Sequence, residues 1–244
     1  MRSFEEAFSE VYDLIFPPRP QQQAMLAELA DRVPVARWLE VACGTGKHAL
    51  FLARRGMRVT ALELDPLMVR RARRAAGRAG LAIDFRQADM THPESYRDLE
   101  GRFGGASCLG NSLAYAVRPG DLELTLEWVG RCLVPGGLFL IQGVNFDLVQ
   151  GEHTFPAIPV PGVGLVFSRR YEQLAGDLLA FHLELTPTGG GLPRRARHVI
   201  RPLSLANLER ALGQAGLRVE ARWGDFDRRP WTDRAPATVV LATR

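Results

Sequence analysis

Along the first 145 residues, short apolar runs alternate with stretches of helical spacing, separated by glycine or proline breaks. Near-continuous apolar strands joined by amphipathic helices are the pattern of a parallel sheet covered on both faces. The rhythm predicts strands at 37–42, 57–64, 81–87, 103–109 and 138–144, and helices at 46–55, 65–79 and 121–133. Asp65-Pro66 gives the second helix a capping side chain and a proline at its first position. Val134-Pro135-Gly136-Gly137 reads as a turn before the fifth strand.

After Asn145 the rhythm changes. The stretch 151–164 is rich in proline and glycine, and no helix fits it. Residues 165–172 and 178–186 then alternate like two antiparallel strands joined at Ala175-Gly176-Asp177, with a third strand at 195–201. A helix at 204–214 stops at Gly216, and strands at 217–223 and 238–242 close the chain. The fold class expected is α/β, a doubly wound, mainly parallel seven-stranded sheet with a small antiparallel β insertion. Residues 1–36 are expected to form N-terminal cover helices, 37–149 and 203–244 the core, and 150–202 the insertion.

Composition narrows the class. The chain has 244 residues, 46% hydrophobic and 24% charged, enough apolar material for one sizeable core. A disordered, collagen-like or coiled-coil chain would be composed differently. The net charge of +4 comes from arginine, because Lys47 is the single lysine. Arginines crowd between residues 54 and 78, which raises nucleic-acid binding as an alternative to two solvated helix faces. No aromatic-interleaved patch accompanies them, and the solvated faces are preferred. Cys43, Cys108 and Cys132 sit in apolar stretches and read as buried thiols of a reducing cytosol, not as a disulfide framework or zinc cluster. No metal site is expected. No secretory h-region is visible at the N-terminus, and no apolar run approaches the roughly 20 residues of a membrane span. A cytoplasmic protein is expected.

The stretch that carries chemistry is Leu39-Glu40-Val41-Ala42-Cys43-Gly44-Thr45-Gly46, a strand that runs through a glycine turn into a helix. Such a turn lets backbone approach a ligand and presents helix N-terminal N–H groups to it. A P-loop is excluded, since Val41 and His48 stand where it needs glycine and a hydroxyl residue. A dinucleotide fingerprint fits Gly44-x-Gly46-x-x-Ala49, with Glu63 ending the next strand as the ribose acid. An S-adenosylmethionine (AdoMet) site also accounts for Glu40 before the turn and Asp89 after the third strand.

The segment 41–46 resembles motif I of the class I AdoMet-dependent methyltransferases. Leu62-Glu63-Leu64-Asp65-Pro66 resembles their second motif, Gln87-Ala88-Asp89-Met90 their third, and Leu133-Val134-Pro135-Gly136-Gly137-Leu138 the turn before their fifth strand. The resemblance implies AdoMet as cofactor and a small-molecule methyl acceptor. It assigns Glu63 to the ribose hydroxyls, Asp89 to the adenine amino group and Met90 to the ring. Glu40, Ala42, Gly44, Gly46, Leu64 and Leu109 complete the implied cofactor site.

Within that superfamily the chain is similar to glycine and sarcosine N-methyltransferases and other small-molecule enzymes. Cys108-Leu109-Gly110-Asn111-Ser112-Leu113-Ala114-Tyr115 and Asn145-Phe146-Asp147 match their segments after strands four and five. Tyr12 and Arg19 match a tyrosine at the methyl-transfer site and an arginine on the cofactor carboxylate. The catalytic residues implied are Tyr12, Asn111 and Tyr115, acting in an in-line methyl transfer to nitrogen or oxygen, with the insertion over the substrate site. One position departs. Where the glycine enzymes hold the substrate carboxylate with an arginine, this chain has Val144, so a neutral or amphipathic acceptor is expected unless Arg169 or Arg170 restores the charge. Three other functions stay open: an RNA or DNA methyltransferase, an NAD-dependent dehydrogenase, and a non-catalytic AdoMet-binding protein. Against the first, Gly110-Asn111-Ser112-Leu113 is not the Asn/Asp-Pro-Pro-Tyr run of base-amino methyltransferases. Monomer and homodimer are both compatible with the sequence.

Overall fold

In the main sheet, strand β1 (Arg37–Val41) lies between β2 (Arg58–Glu63) and β4 (Phe103–Cys108). The computed structural model describes residues 3–149 and 151–244, without the side chain of Ser95. Beyond β2 lies β3 (Asp84–Gln87), and beyond β4 come β5 (Leu133–Val144), β12 (Ala237–Thr243) and β11 (Arg218–Trp223). β12 runs antiparallel to both of its neighbours, and the pairs from β3 across to β5 are parallel. The chain winds one way from β1 to β3 and the other way through β4 and β5, so a crevice opens at the carboxyl ends of β1 and β4.

Every residue of β4 and of β12 is buried, which is why these strands read as unbroken apolar runs. The helices α3 (Lys47–Arg54), α4 (Pro66–Ala79), α5 (Asp121–Cys132) and α6 (Leu205–Gln214) connect the strands, after α1 (Phe4–Ile15) and α2 (Pro20–Arg32). α4 starts as its sequence implies: Asp65 Oδ1 accepts from the Leu67 N–H at 2.7 Å, and Gly80 at φ 64° ends the helix. Cys43, Cys108 and Cys132 are free thiols and buried.

Residues 153–200 build a second, antiparallel sheet. Its order is β10 (Arg194–Ile200), β9 (Leu179–Pro187), β8 (Leu165–Gln173) and β6 (His153–Thr154), with β7 (Ile158–Val160) also on β8. α1 lays Phe4, Ala7, Val11 and Ile15 against Phe167, Leu183 and Leu185 of this sheet. The N-terminal helix therefore belongs to the same apolar cluster as the insertion.

Two predicted boundaries change. β3 begins at Asp84 rather than residue 81, because Leu81 and Ile83 pack on the core from a loop. β5 begins at Leu133 and carries the predicted turn as an irregularity in its register with β4. There Gly136 N–H donates to Arg244 O and Arg244 N–H to Gly137 O, so the end of the chain satisfies the bent backbone. Two 3₁₀ turns, Pro93–Leu99 and Ser112–Tyr115, and the short strands β6 and β7 had no counterpart in the sequence pattern.

The centre of the sheet depends on a missing side chain. Trp38 is fully buried, its Nε1 donating to Ser107 Oγ at 2.9 Å. A Cβ on Gly105 would meet the Trp38 ring at 2.3 Å. Gly105→Ala should therefore destabilise the protein by about 3 kcal/mol in urea unfolding, since a rigid ring has no room to move. A loss near zero would show that the ring is not confined by Gly105.

Candidate active site

The crevice is floored by a turn that enters the left-handed region three times within five residues: Ala42 at φ 55°, Gly44 at 57° and Gly46 at 76°. At Gly46 glycine is also a packing requirement, because a Cβ would meet Phe85 at 2.8 Å and Ala72 at 3.0 Å. Glu63, at the end of β2, reaches across to the turn. Its Oε2 accepts from Gly44 N–H at 2.8 Å and its Oε1 from Asp65 N–H at 2.9 Å. Burial raises the Glu63 carboxyl above its ordinary range, and these backbone hydrogen bonds pull the other way. A carboxylate offers about four acceptor positions, so two N–H donors leave room for two more.

Below the turn Glu40 is 2% exposed, with Oε1 lying 3.4 Å from His48 Nδ1. Glu40 Oε2 and His48 Nε2 are buried without hydrogen-bond partners. Asp89 is folded into its own turn: Oδ1 accepts from Thr91 N–H at 2.9 Å and Thr91 Oγ1 at 2.8 Å, and Oδ2 lies 3.1 Å from His92 Nδ1. Burial works to raise this carboxyl, but those hydrogen bonds outweigh it and hold the group below the usual range. Met90 packs against the core, Leu109 is buried, and Leu64 beside Glu63 is 61% exposed.

α1 and the residues after it close over the turn. Tyr12 lies over Gly44, 3.7 Å from where a Cβ would stand. Thr45 Oγ1 donates to Asp13 Oδ1 at 2.7 Å, and the Lys47 ammonium donates to Phe16 O with Nζ 5.4 Å from the centre of the Tyr12 ring. Burial, and next Glu63, push the Tyr12 phenol far up. Tyr115 is 39% exposed and meets His198 edge to face at 5.8 Å. Desolvation and Glu63 push its phenol up to about 12, as for a hydroxyl lining a cleft.

Two implied site residues are engaged elsewhere. Arg19, expected on a cofactor carboxylate, forms a two-pronged ion pair with Asp225 at 2.9 and 2.8 Å, which sets the two planar groups edge to edge. Asn111, at φ 70°, uses Oδ1 to accept from Val144 N–H at 3.0 Å and so staples the loop after β4 to the end of β5. Sequence reasoning missed the roles of His48, Asp13, Lys47 and Asp225. For Lys47 a signal existed: the single lysine of an arginine-rich chain sits in the glycine turn.

Residues 39–137 match the methyltransferase domain family. The chain is 32% identical over 114 residues to a glycine/sarcosine N-methyltransferase of Parasynechococcus marenigrum, covering 46% of this chain but 40% of that protein. It is 28% identical over 224 residues to a dTDP-3-amino-3,6-dideoxy-alpha-D-glucopyranose N,N-dimethyltransferase of Streptomyces fradiae, covering 87% of this chain and 84% of the relative. The crystal structure of an S-adenosylmethionine-dependent methyltransferase from Clostridium acetobutylicum superposes with a TM-score of 0.82 at 18% identity, over 98% of both chains. Residues 39–137 thus carry a methyltransferase-family domain, and the chain is similar to class I AdoMet-dependent methyltransferases. Its fold is the Rossmann-like sheet of those enzymes, whose methyl donor is AdoMet.

The residues of the crevice fit that cofactor. The turn carries glycine where a Cβ would clash, Glu63 keeps acceptor positions for two hydroxyls, and Glu40 leaves a buried carboxylate oxygen unpartnered. Among the described residues no helix is long and apolar enough to cross a membrane, and no cluster of three or more His, Cys, Asp or Glu is placed to hold a metal.

The ties from Lys47 predict a local effect of its loss. Lys47→Met should raise the rate of chymotryptic cleavage at Phe8, Tyr12 and Phe16 several-fold while lowering global stability by only about 1–2 kcal/mol. Unchanged cleavage would mean that packing on the insertion alone holds α1.

Proposed function

We propose that the chain transfers a methyl group from AdoMet to an amine nitrogen of a small molecule. The observation that carries this reading is the pairing, at one cleft, of an acid-bearing glycine turn with Tyr12 and Tyr115, two phenols that stay protonated at neutral pH. Phenols in that state do not accept a proton at neutral pH, whereas a neutral amine attacks without a base and releases its proton afterwards. The two relatives named above are both described as N-methyltransferases. AdoMet supplies a methyl group already activated on a sulfonium sulfur.

The chain supplies binding and alignment. Glu63 would accept from the ribose hydroxyls of AdoMet, Asp89 would meet the adenine amino group, and Leu64, Met90 and Leu109 would give apolar contact. The Ala42–Gly46 backbone, with Glu40 beneath it, would hold the methionine portion. Tyr12 closes the cleft from α1 and excludes water, and Tyr115 orients the acceptor from the other side. Asn111 fixes the loop that carries Tyr115, and Arg19 acts through Asp225 to hold the N-terminal segment down. Holding nucleophile and methyl carbon in line is worth about 7 kcal/mol or more of the barrier at its best.

In this reading residues 1–36 and 150–202 are cover elements over a core of 37–149 and 203–244, working in the cytoplasm as a monomer or homodimer. Nucleic acid is not the acceptor. Of the arginine cluster, Arg55 pairs with Asp31, Arg71 with Ser9 and Glu10, and Arg73 with Phe85 O, which leaves scattered charges on solvated helix faces.

S-adenosylhomocysteine should bind at one site per chain by isothermal titration, and Glu63→Ala should weaken it by about 2–4 kcal/mol through loss of a charged acceptor in a closed site. Binding of NAD instead, or full affinity in Glu63→Ala, would contradict the assignment. Tritiated AdoMet should label amines in an acceptor panel and leave total RNA at background.

A further inference from the structure

On the inner face of the insertion sheet lies a cation that no carboxylate among the described residues answers. Phe167, Arg169 and Tyr171 alternate along β8 toward the same side. Phe167 packs on Phe8 and Phe16 of the N-terminal cover, and Tyr171 on Phe146, Phe155 and Phe181. Arg169 stands between them, its guanidinium carbon 4.3 Å from the centre of the Phe155 ring and 5.4 Å from that of Phe16. Its Nε is buried without a partner, and among the described residues the guanidinium makes no hydrogen bond or ion pair.

This contrasts with the neighbouring Arg170, exposed and paired with Glu172 at 3.0 Å. Burial pulls the Arg169 guanidinium below its ordinary basicity. Two ring faces return only part of what a guanidinium loses on leaving water, and its planar donors still want oxygen acceptors. The place is next to the methyl-transfer cleft, since Phe16 also touches Tyr12, ring centres 5.3 Å apart.

We propose that Arg169 is the anion-recognition residue of the acceptor pocket, holding a carboxylate or phosphate of the acceptor between the rings of Phe16 and Phe155. The proposal rests on the reading of the chain as a small-molecule methyltransferase. It takes up the alternative left open beside Val144: the charge missing at residue 144 is supplied by Arg169 from the insertion. The acceptor is then an amine that also carries an acidic group. A free carboxylate and a phosphate ester share the oxygen geometry that a planar guanidinium fork matches.

The test uses the full-length protein, alone and saturated with S-adenosylhomocysteine, titrated separately with inorganic pyrophosphate and with acetate. Wild type should bind one of them at least tenfold more tightly than Arg169→Gln, with Arg169→Lys between the two and Arg170→Gln equal to wild type. A preference for pyrophosphate marks a phosphorylated acceptor, and one for acetate a carboxylate. The affinity for S-adenosylhomocysteine should be the same in wild type, Arg169→Gln and Arg169→Lys, which also reports that the variants are folded. Three results would overturn the proposal: neither anion binding wild type, equal anion binding in wild type and Arg169→Lys or Arg169→Gln, or a loss of S-adenosylhomocysteine affinity in the folded variants, which would give the guanidinium to the cofactor. Failure of wild type to bind S-adenosylhomocysteine would contradict the methyltransferase reading itself, while the titrations run without it still judge Arg169.

Discussion

The turn from Ala42 to Gly46 takes the left-handed conformation at alternate residues, and the rest of the site is arranged around that constraint. A chain that must do this beside Phe85 and Ala72 has no space for a Cβ at Gly46. Glu63 then finds the Gly44 N–H within hydrogen-bond distance, so one carboxylate ties the end of β2 to the end of β1. The strain of an Ala42 held at φ 55° is sustained because the surrounding sheet fixes the backbone on both sides.

The turn also gathers the N-terminal segment. Thr45 and Lys47 belong to the turn and the first turn of α3, yet their partners are Asp13 and Phe16. The opposite face of α1 is apolar and packs on the insertion sheet. One helix is thus held by polar ties on the cofactor side and by burial on the insertion side, with Arg19 and Asp225 pinning the chain just beyond it.

Much of this was legible in the sequence, where the determining chemistry is local. Asp65-Pro66 announces α4, Gly46 the start of α3, and the largely apolar runs of β1 and β4 the centre of a parallel sheet. The alternation in 165–201 announced the second sheet. What the sequence did not disclose are partnerships made across it. Arg19 meets Asp225 over a separation of 206 residues, and no periodicity records that. Asn111 carries a motif yet serves a backbone N–H at Val144, because a loop at a strand end needs its own staple. His48 read as an ordinary helix residue until β1 placed Glu40 beside it. Arg169 differs from Arg170 only in which face of β8 it occupies, and one residue of register separates a solvated ion pair from a half-buried guanidinium that meets only aromatic rings among the described residues.

Hydrogen–deuterium exchange with and without S-adenosylhomocysteine shows whether the glycine turn, Glu63 and α1 respond to cofactor as a single unit. Amides of 4–16 and of 42–65 should then gain protection together and to a similar degree. Protection confined to 42–65, with α1 exchanging as it does in the free protein, would contradict it.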